Sequence, residues 1–91
     1  MSKVKEYIKK RSAESPQFKK QLEIERERLD LAIKLAELRN RSGYTQKELA
    51  NKIGKPQSTI SRIETGEMNP SIDLVIEIVN GLDKKFVVSF E

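Results

Sequence analysis

Residues 45–66, TQKELANKIGKPQSTISRIETG, constrain the fold more than any other stretch of the chain. Thr45 followed three positions later by Glu48 is a capping box: the threonine oxygen accepts from the N3 amide and the glutamate reaches back to the cap amide. Leu49, Ala50 and Ile53 then fall on one helical face, and Gly54 can take the left-handed conformation that ends a helix. After Lys55 and Pro56 the spacing of Ile60 and Ile63 predicts a second helix from about Gln57 to Glu64, closed by Gly66. Alanine at position 50 implies that this second helix crosses close by. Two helices of about two turns each are not stable alone, so neighbouring segments must cover their apolar faces. The outer face of the second helix is unusual for a solvated one. It carries Gln57, Ser58, Ser61 and Arg62, mostly short or amide side chains rather than long charged ones.

The flanks supply the cover. Residues 1–14 are polar and basic, and two readings stand: Val4, Tyr7 and Ile8 form a short helix against a partner, or the segment is a mobile arm. Ser15-Pro16 marks a helix start, with serine as N-cap and proline at the first helical position. Phe18 and Leu22 share a face. From residue 16 to 41 nothing forbids helix, but the length and the solvated run 23–28 lead us to expect a break or bend near residues 25–29. Leu29, Ala32, Ile33 and Ala36 form a stripe widened by Leu31, Leu35 and Leu38, as for a core helix with more than one neighbour. Gly43 is its left-handed cap, with Arg39 and Arg41 well placed at the dipole's negative end. Ser71 caps a further helix that has Asp73 in its first turn. Ile72, Leu74, Val75, Ile76, Ile78, Val79 and Leu82 make that helix the central core element, ending near residues 80–81. In residues 84–91 the period changes, and Phe86, Val88 and Phe90 read as one face of a β-strand. Its simplest partner is the same strand of a second copy, in a two-stranded antiparallel ribbon. The alternative is a tail packed without pairing. The chain therefore reads as mainly α: a basic N-terminal arm and helical extension (1–28), a helix-turn-helix domain (29–83) and a C-terminal dimerisation strand (84–91).

Composition excludes several functions. The 91 residues make one domain and include neither cysteine nor histidine, so disulfides, thiolate chemistry and ordinary zinc sites are ruled out. The chain has no apolar run of signal-peptide or transmembrane character, and a soluble cytoplasmic protein is expected. Net charge is +4, and its distribution matters more than its size. Residues 39–62 hold Arg39, Arg41, Lys47, Lys52, Lys55 and Arg62 against Glu48 alone, a balance of +5; residues 1–28 carry +4 and residues 63–91 carry −4. A local positive field favours a polyanion on one face. Ser58, Thr59 and Ser61 have no histidine to activate them, and no phosphate loop or metal cluster exists, so neither an enzyme nor a cofactor or metal is expected.

The roles suit double-stranded DNA. Gln46, at the start of the first motif helix, can give its side-chain amide and the helix N-terminal amides to a phosphate. Gln57 and Ser58 occupy the first turn of the second helix, the part that enters a major groove deepest. Glutamine pairs bidentately with adenine, arginine such as Arg62 with guanine, and serines such as Ser58 and Ser61 with either. Thr59 suits a phosphate or a thymine methyl, and Lys55 and Asn69 suit backbone contacts. Each has a plainer reading: solvent exposure for Gln46, an ordinary helix start for Gln57 and Ser58, a surface charge for Arg62. Glu64 would repel phosphate, so it is assigned a structural role, paired with an arginine such as Arg39.

Thr45-Gln46-x-x-Leu49-Ala50, Gly54, Gln57-Ser58, Ile60-Ser61-Arg62-Ile63-Glu64, Gly66 and Pro70-Ser71 stand at the spacing of the Cro/C1-type (lambda-repressor-like) helix-turn-helix family, which residues 31–82 resemble. The resemblance implies that Gln46 anchors phosphate, that Gln57, Ser58 and Arg62 face bases, and that Glu64 is structural. Pro56 departs from the pattern, which often has a serine or threonine cap there. Ser15-Pro16-Gln17-Phe18, the long charged helix and the ending Lys85-Phe86-Val87-Val88-Ser89-Phe90 are similar to HigA-type antitoxins of bacterial type II toxin–antitoxin modules. That similarity implies a homodimer that binds operator DNA, represses its own operon and neutralises a RelE/HigB-like mRNA-cleaving toxin. The toxin would sit on residues 3–29, with Tyr7, Ile8, Phe18, Leu22 and Ile24 as apolar anchors, unless Phe18 and Leu22 cover their own core. The rival readings are a stand-alone Cro/C1-type repressor with no toxin, and a protein-interaction module that makes no use of DNA.

Overall fold

The computed structural model describes residues 16–91, which form α1 (Pro16–Arg41), α2 (Gln46–Ile53), α3 (Gln57–Glu64) and α4 (Ile72–Gly81). The expectations placed on Tyr7, Ile8 and the basic arm lie outside the described residues. α2 packs on α3 and α4, and α1 packs on α3. Leu49, Ile60, Ile63 and Leu82, each 1 % exposed, form the centre of the core, with Leu35, Ala50, Val75, Ile78 and Val79 around them. Burying each large aliphatic side chain stabilises the fold by about 1.5–3 kcal/mol.

The caps explain where the helices begin and end. Thr45 Oγ1 accepts from the Glu48 amide at 3.0 Å while Glu48 Oε1 accepts from the Thr45 amide at 3.0 Å, so the capping box is complete. The hydrogen bonds from Thr45 hold the Glu48 carboxyl below its ordinary pKa. Gly54 ends α2 at φ 69°, in the left-handed region, as the sequence required. Pro56 gives α3 no side-chain cap; the Thr59 amide bonds the Pro56 carbonyl instead, at 3.0 Å. Ser71 Oγ caps α4 by accepting from the Leu74 amide. Gly81 differs from the other helix-end glycines. It is buried inside the last turn of α4, where a Cβ would lie 2.6 Å from Ile53 Cγ2, so its smallness lets α2 and α4 approach.

Three expectations are corrected. α1 is one unbroken helix of 26 residues, so no break falls at 25–29. After Pro16 it contains neither proline nor glycine, and Glu, Arg, Lys and Leu are all good helix formers. Its buried stripe is also narrower than the sequence suggested. Ala32, Leu35 and Arg39 are buried, whereas Leu29, Leu31 and Ile33 are exposed. The third correction concerns the tail: the described residues are all-α, and no β-strand forms at 84–91. Within one chain a lone extended segment has no edge to pair with. Phe86 instead packs half-buried against the helical core, while Val88 and Phe90, assigned to the dimerisation strand, are exposed, Phe90 by 94 %. The tail is unpaired, and it packs on the core through Phe86.

Candidate nucleic-acid interface

Ile60 and Ile63 anchor α3 by its inner face, which fixes what the outer face presents. Gln57, Ser58 and Arg62 are exposed, and Thr59 and Ser61 are half-buried at the margins. Ser58, Arg62 and Thr65 follow at helical spacing along one line, so the exposed stripe runs the full length of the helix. The Thr65 hydroxyl donates to the Arg62 carbonyl at 3.2 Å, which tethers the end of that stripe. Thr65 was not singled out from the sequence, although its spacing from Ser58 was the signal for it.

Behind the stripe lies a buried polar network. Arg39 Nε donates to Glu64 Oε2 at 2.7 Å and its NH2 donates to Glu64 Oε1 at 2.9 Å, forming a bidentate ion pair between α1 and α3. Arg39 NH1 also donates to the Tyr44 carbonyl at 2.8 Å. Gln46 Nε2 adds a bond to Glu64 Oε1 at 3.1 Å. Burial pushes the Glu64 carboxyl up, but the hydrogen bonds from Arg39 and Gln46, with the Arg39 charge, outweigh it and hold its pKa below the ordinary value. The hydrogen bond to Glu64 raises Arg39 in turn. Glu64 is thus the structural partner of Arg39 that its sign demanded. One proton of the Gln46 amide goes to Glu64, and the second remains for another acceptor. A half-buried residue at the first turn of α2 is thereby fixed relative to α3.

The cations divide less favourably than the sequence balance implied. Arg39 is neutralised by Glu64. Lys52 donates to Tyr44 Oη at 2.7 Å and pairs with Asp83 at 3.2 Å. The Tyr44 hydroxyl raises Lys52, and Lys52 lowers Asp83. This cluster joins α2 to the turn after α4, where Asp83 takes φ 62°. Nothing in the sequence pattern pointed to it. Arg41 lines a cleft with Leu38, Ser42 and Lys84, beside the tail. Lys55 is exposed and lies 3.8 Å from Glu77. Among the described residues, Lys47, in the first turn of α2, and Arg62 are the cations left exposed on the motif without an ion pair. Asn69 is exposed in the loop after α3. Phe18 and Leu22 are half-buried and Ile24 is half-exposed on α1.

Among the described residues no three acidic side chains gather to hold a metal, and no helix is long and apolar enough to cross a membrane. The model of the helix-turn-helix family HTH_3 matches residues 35–88, more than half of the chain. The chain is 36 % identical to an uncharacterized HTH-type transcriptional regulator, YgzD, of Bacillus subtilis, over 57 % of this chain and 79 % of that protein. It is 42 % identical to an uncharacterized HTH-type transcriptional regulator of Archaeoglobus fulgidus, over 50 % of this chain and 64 % of that one. It is 41 % identical to antitoxin HipB of Escherichia coli, over 50 % of this chain and 49 % of that protein. Among solved structures none matches significantly. Capped α2, amide-bearing α3 and the matched residues agree: this chain belongs to the Cro/C1-type helix-turn-helix family of non-catalytic DNA-binding regulators.

Proposed function

We propose that this protein is the antitoxin of a toxin–antitoxin module: a homodimer that binds operator DNA, represses its own operon and holds a RelE/HigB-like mRNA-cleaving toxin on its N-terminal extension. The observation that carries this reading is the outer half of α1. Residues 16–28 lie outside the stretch matched by the helix-turn-helix family, with every residue exposed except half-buried Phe18 and Leu22. An ordered helix with Ile24 half-exposed suits a protein partner, and lying outside α3 it leaves that helix's own outer face free. Phe18, Leu22 and Ile24 are its anchors, with Tyr7 and Ile8 ahead of them.

On DNA, Gln57, Ser58, Ser61 and Arg62 face the bases, Thr59 takes a phosphate or a thymine methyl, and Gln46, Lys55 and Asn69 hold phosphates. Two copies match a two-fold operator, and the site of action is the cytoplasm. The second copy does not require a strand. Leu31, Pro70, Ile72, Val75 and Phe86 line an apolar groove, and exposed Val88 and Phe90 follow in the tail. A second reading is a stand-alone repressor, favoured by the two relatives that are named as transcriptional regulators.

The test is twofold. Duplexes selected from a random pool should converge on an inverted repeat, and Gln57→Ala should cost about 1–3 kcal/mol at one base pair. Equal loss on selected and random duplexes would remove Gln57 as a base reader. Co-expression with RelE-like ribonucleases should yield a stable complex that Ile24→Asp disrupts without loss of DNA binding. Duplex binding with no such complex leaves the stand-alone repressor.

A further inference from the structure

The outer half of α1 also borders the DNA-facing side. A cleft runs between Glu25, Arg28 and Leu29 on α1 and Thr65, Gly66 and Asn69 beyond α3. Leu29 Cδ1 lies 3.7 Å from where a Cβ on Gly66 would stand, so the glycine lets α1 sit against the end of α3. Thr65 is the last member of the stripe that begins with Ser58. The rise from Ser58 to Thr65 is about 10 Å, and a major groove is about 12 Å wide. A helix that inserts its first turn therefore emerges beside a sugar–phosphate strand at its other end. Asn69 and Arg28 stand there. Arg28 is exposed and makes no ion pair among the described residues, where the pairs are Arg39–Glu64, Lys52–Asp83 and Lys55–Glu77.

We infer that Arg28, outside the matched helix-turn-helix region, is a phosphate contact that works with Asn69 on the backbone flanking the C-terminal end of α3. The inference rests on the proposed DNA binding. It gives the N-terminal extension a role at the operator as well as toward a protein partner. A guanidinium fork fits phosphate oxygens bidentately, and a contact of this kind adds affinity on every sequence without reading any. Glu25 stands on the same wall and opposes it, so Glu25→Gln tightens binding.

The experiment measures the affinity of the full chain for a selected duplex and for a random duplex across a salt series. Arg28→Gln should weaken both equally, by about eightfold per bound copy at 0.1 M salt (about sixtyfold for a dimer), and reduce the slope of log K against log salt by about 0.9 per copy, about 1.8 for a dimer. Arg26→Gln, on a different face of the same helix, should leave the slope unchanged. An unchanged slope for Arg28→Gln beside normal wild-type binding overturns the inference alone, as does an equal change for both arginines. Absence of salt-dependent duplex binding by the wild-type chain overturns the DNA reading and this inference together.

Discussion

Residues 32–41 and residues 16–31 belong to one continuous helix but not to one source of stability. The inner half buries Ala32 and Leu35 and turns Arg39 into a fixed strut against Glu64. The outer half exposes Ile24, Leu29 and Leu31 and carries Lys19 and Lys20 near the positive end of the helix dipole, where cations are unfavourable. Packing holds the first, whereas the second has only partial cover, at Phe18, at Leu22 and where Leu29 meets the end of α3. Where a helix is held by packing, its sequence answers to the core. Where it is not, its sequence is free to answer to a partner.

The largest test of this contrast is Glu64→Ala. It leaves Arg39 as a buried cation without a carboxylate, and breaking such a pair costs about 3–5 kcal/mol. Thermal or urea unfolding would measure it, and a cost below 1 kcal/mol would mean that the inner half does not depend on the strut. The same residue sets an acid limb. A carboxylate whose pKa is lower in the folded state contributes stability that is full above the unfolded value near 4.5 and is lost as pH falls through the folded value. Wild-type stability should therefore drop below about pH 4.5, and Glu64→Gln should show a flatter decline over that window.

Leu35→Ala comes next. Truncating a buried leucine costs about 2–5 kcal/mol, whereas Ile24→Ala on the outer half should stay within about 0.5 kcal/mol. Similar costs at the two positions would break the comparison. The contrast was only half legible in the sequence. Residues 57–64 were placed at their observed ends because Gly54, Gly66 and the Ile60–Ile63 pair leave little freedom. Arg39–Glu64 followed from sign: an acid beside a phosphate site needs a partner. The exposure of Leu29 and Ile33 was not legible, since a leucine-rich stripe looks the same whether neighbours cover it or not. The tail was misread for a related reason. β-branched and aromatic residues report a fit to a packed surface, not a strand as such, and Phe86 finds that surface on the helical core. The Tyr44–Lys52–Asp83 cluster joins residues 39 positions apart across a left-handed turn, which no local pattern encodes.

The smallest expected effect is the most informative about the outer half. Amides of residues 20–28 should exchange hydrogen faster than those of residues 35–41, because opening the outer turns exposes only half-buried Phe18 and Leu22, where the inner turns bury Ala32 and Leu35. Ile24→Ala should leave the slow set unchanged and shift the fast set only slightly. If a toxin binds here, adding it should slow residues 20–28 selectively, since binding adds packing on the exposed face that Ile24 presents. Protection of both halves to the same degree in the isolated chain would mean that the outer half is already packed, and the argument for a protein partner on Phe18, Leu22 and Ile24 would lose its basis.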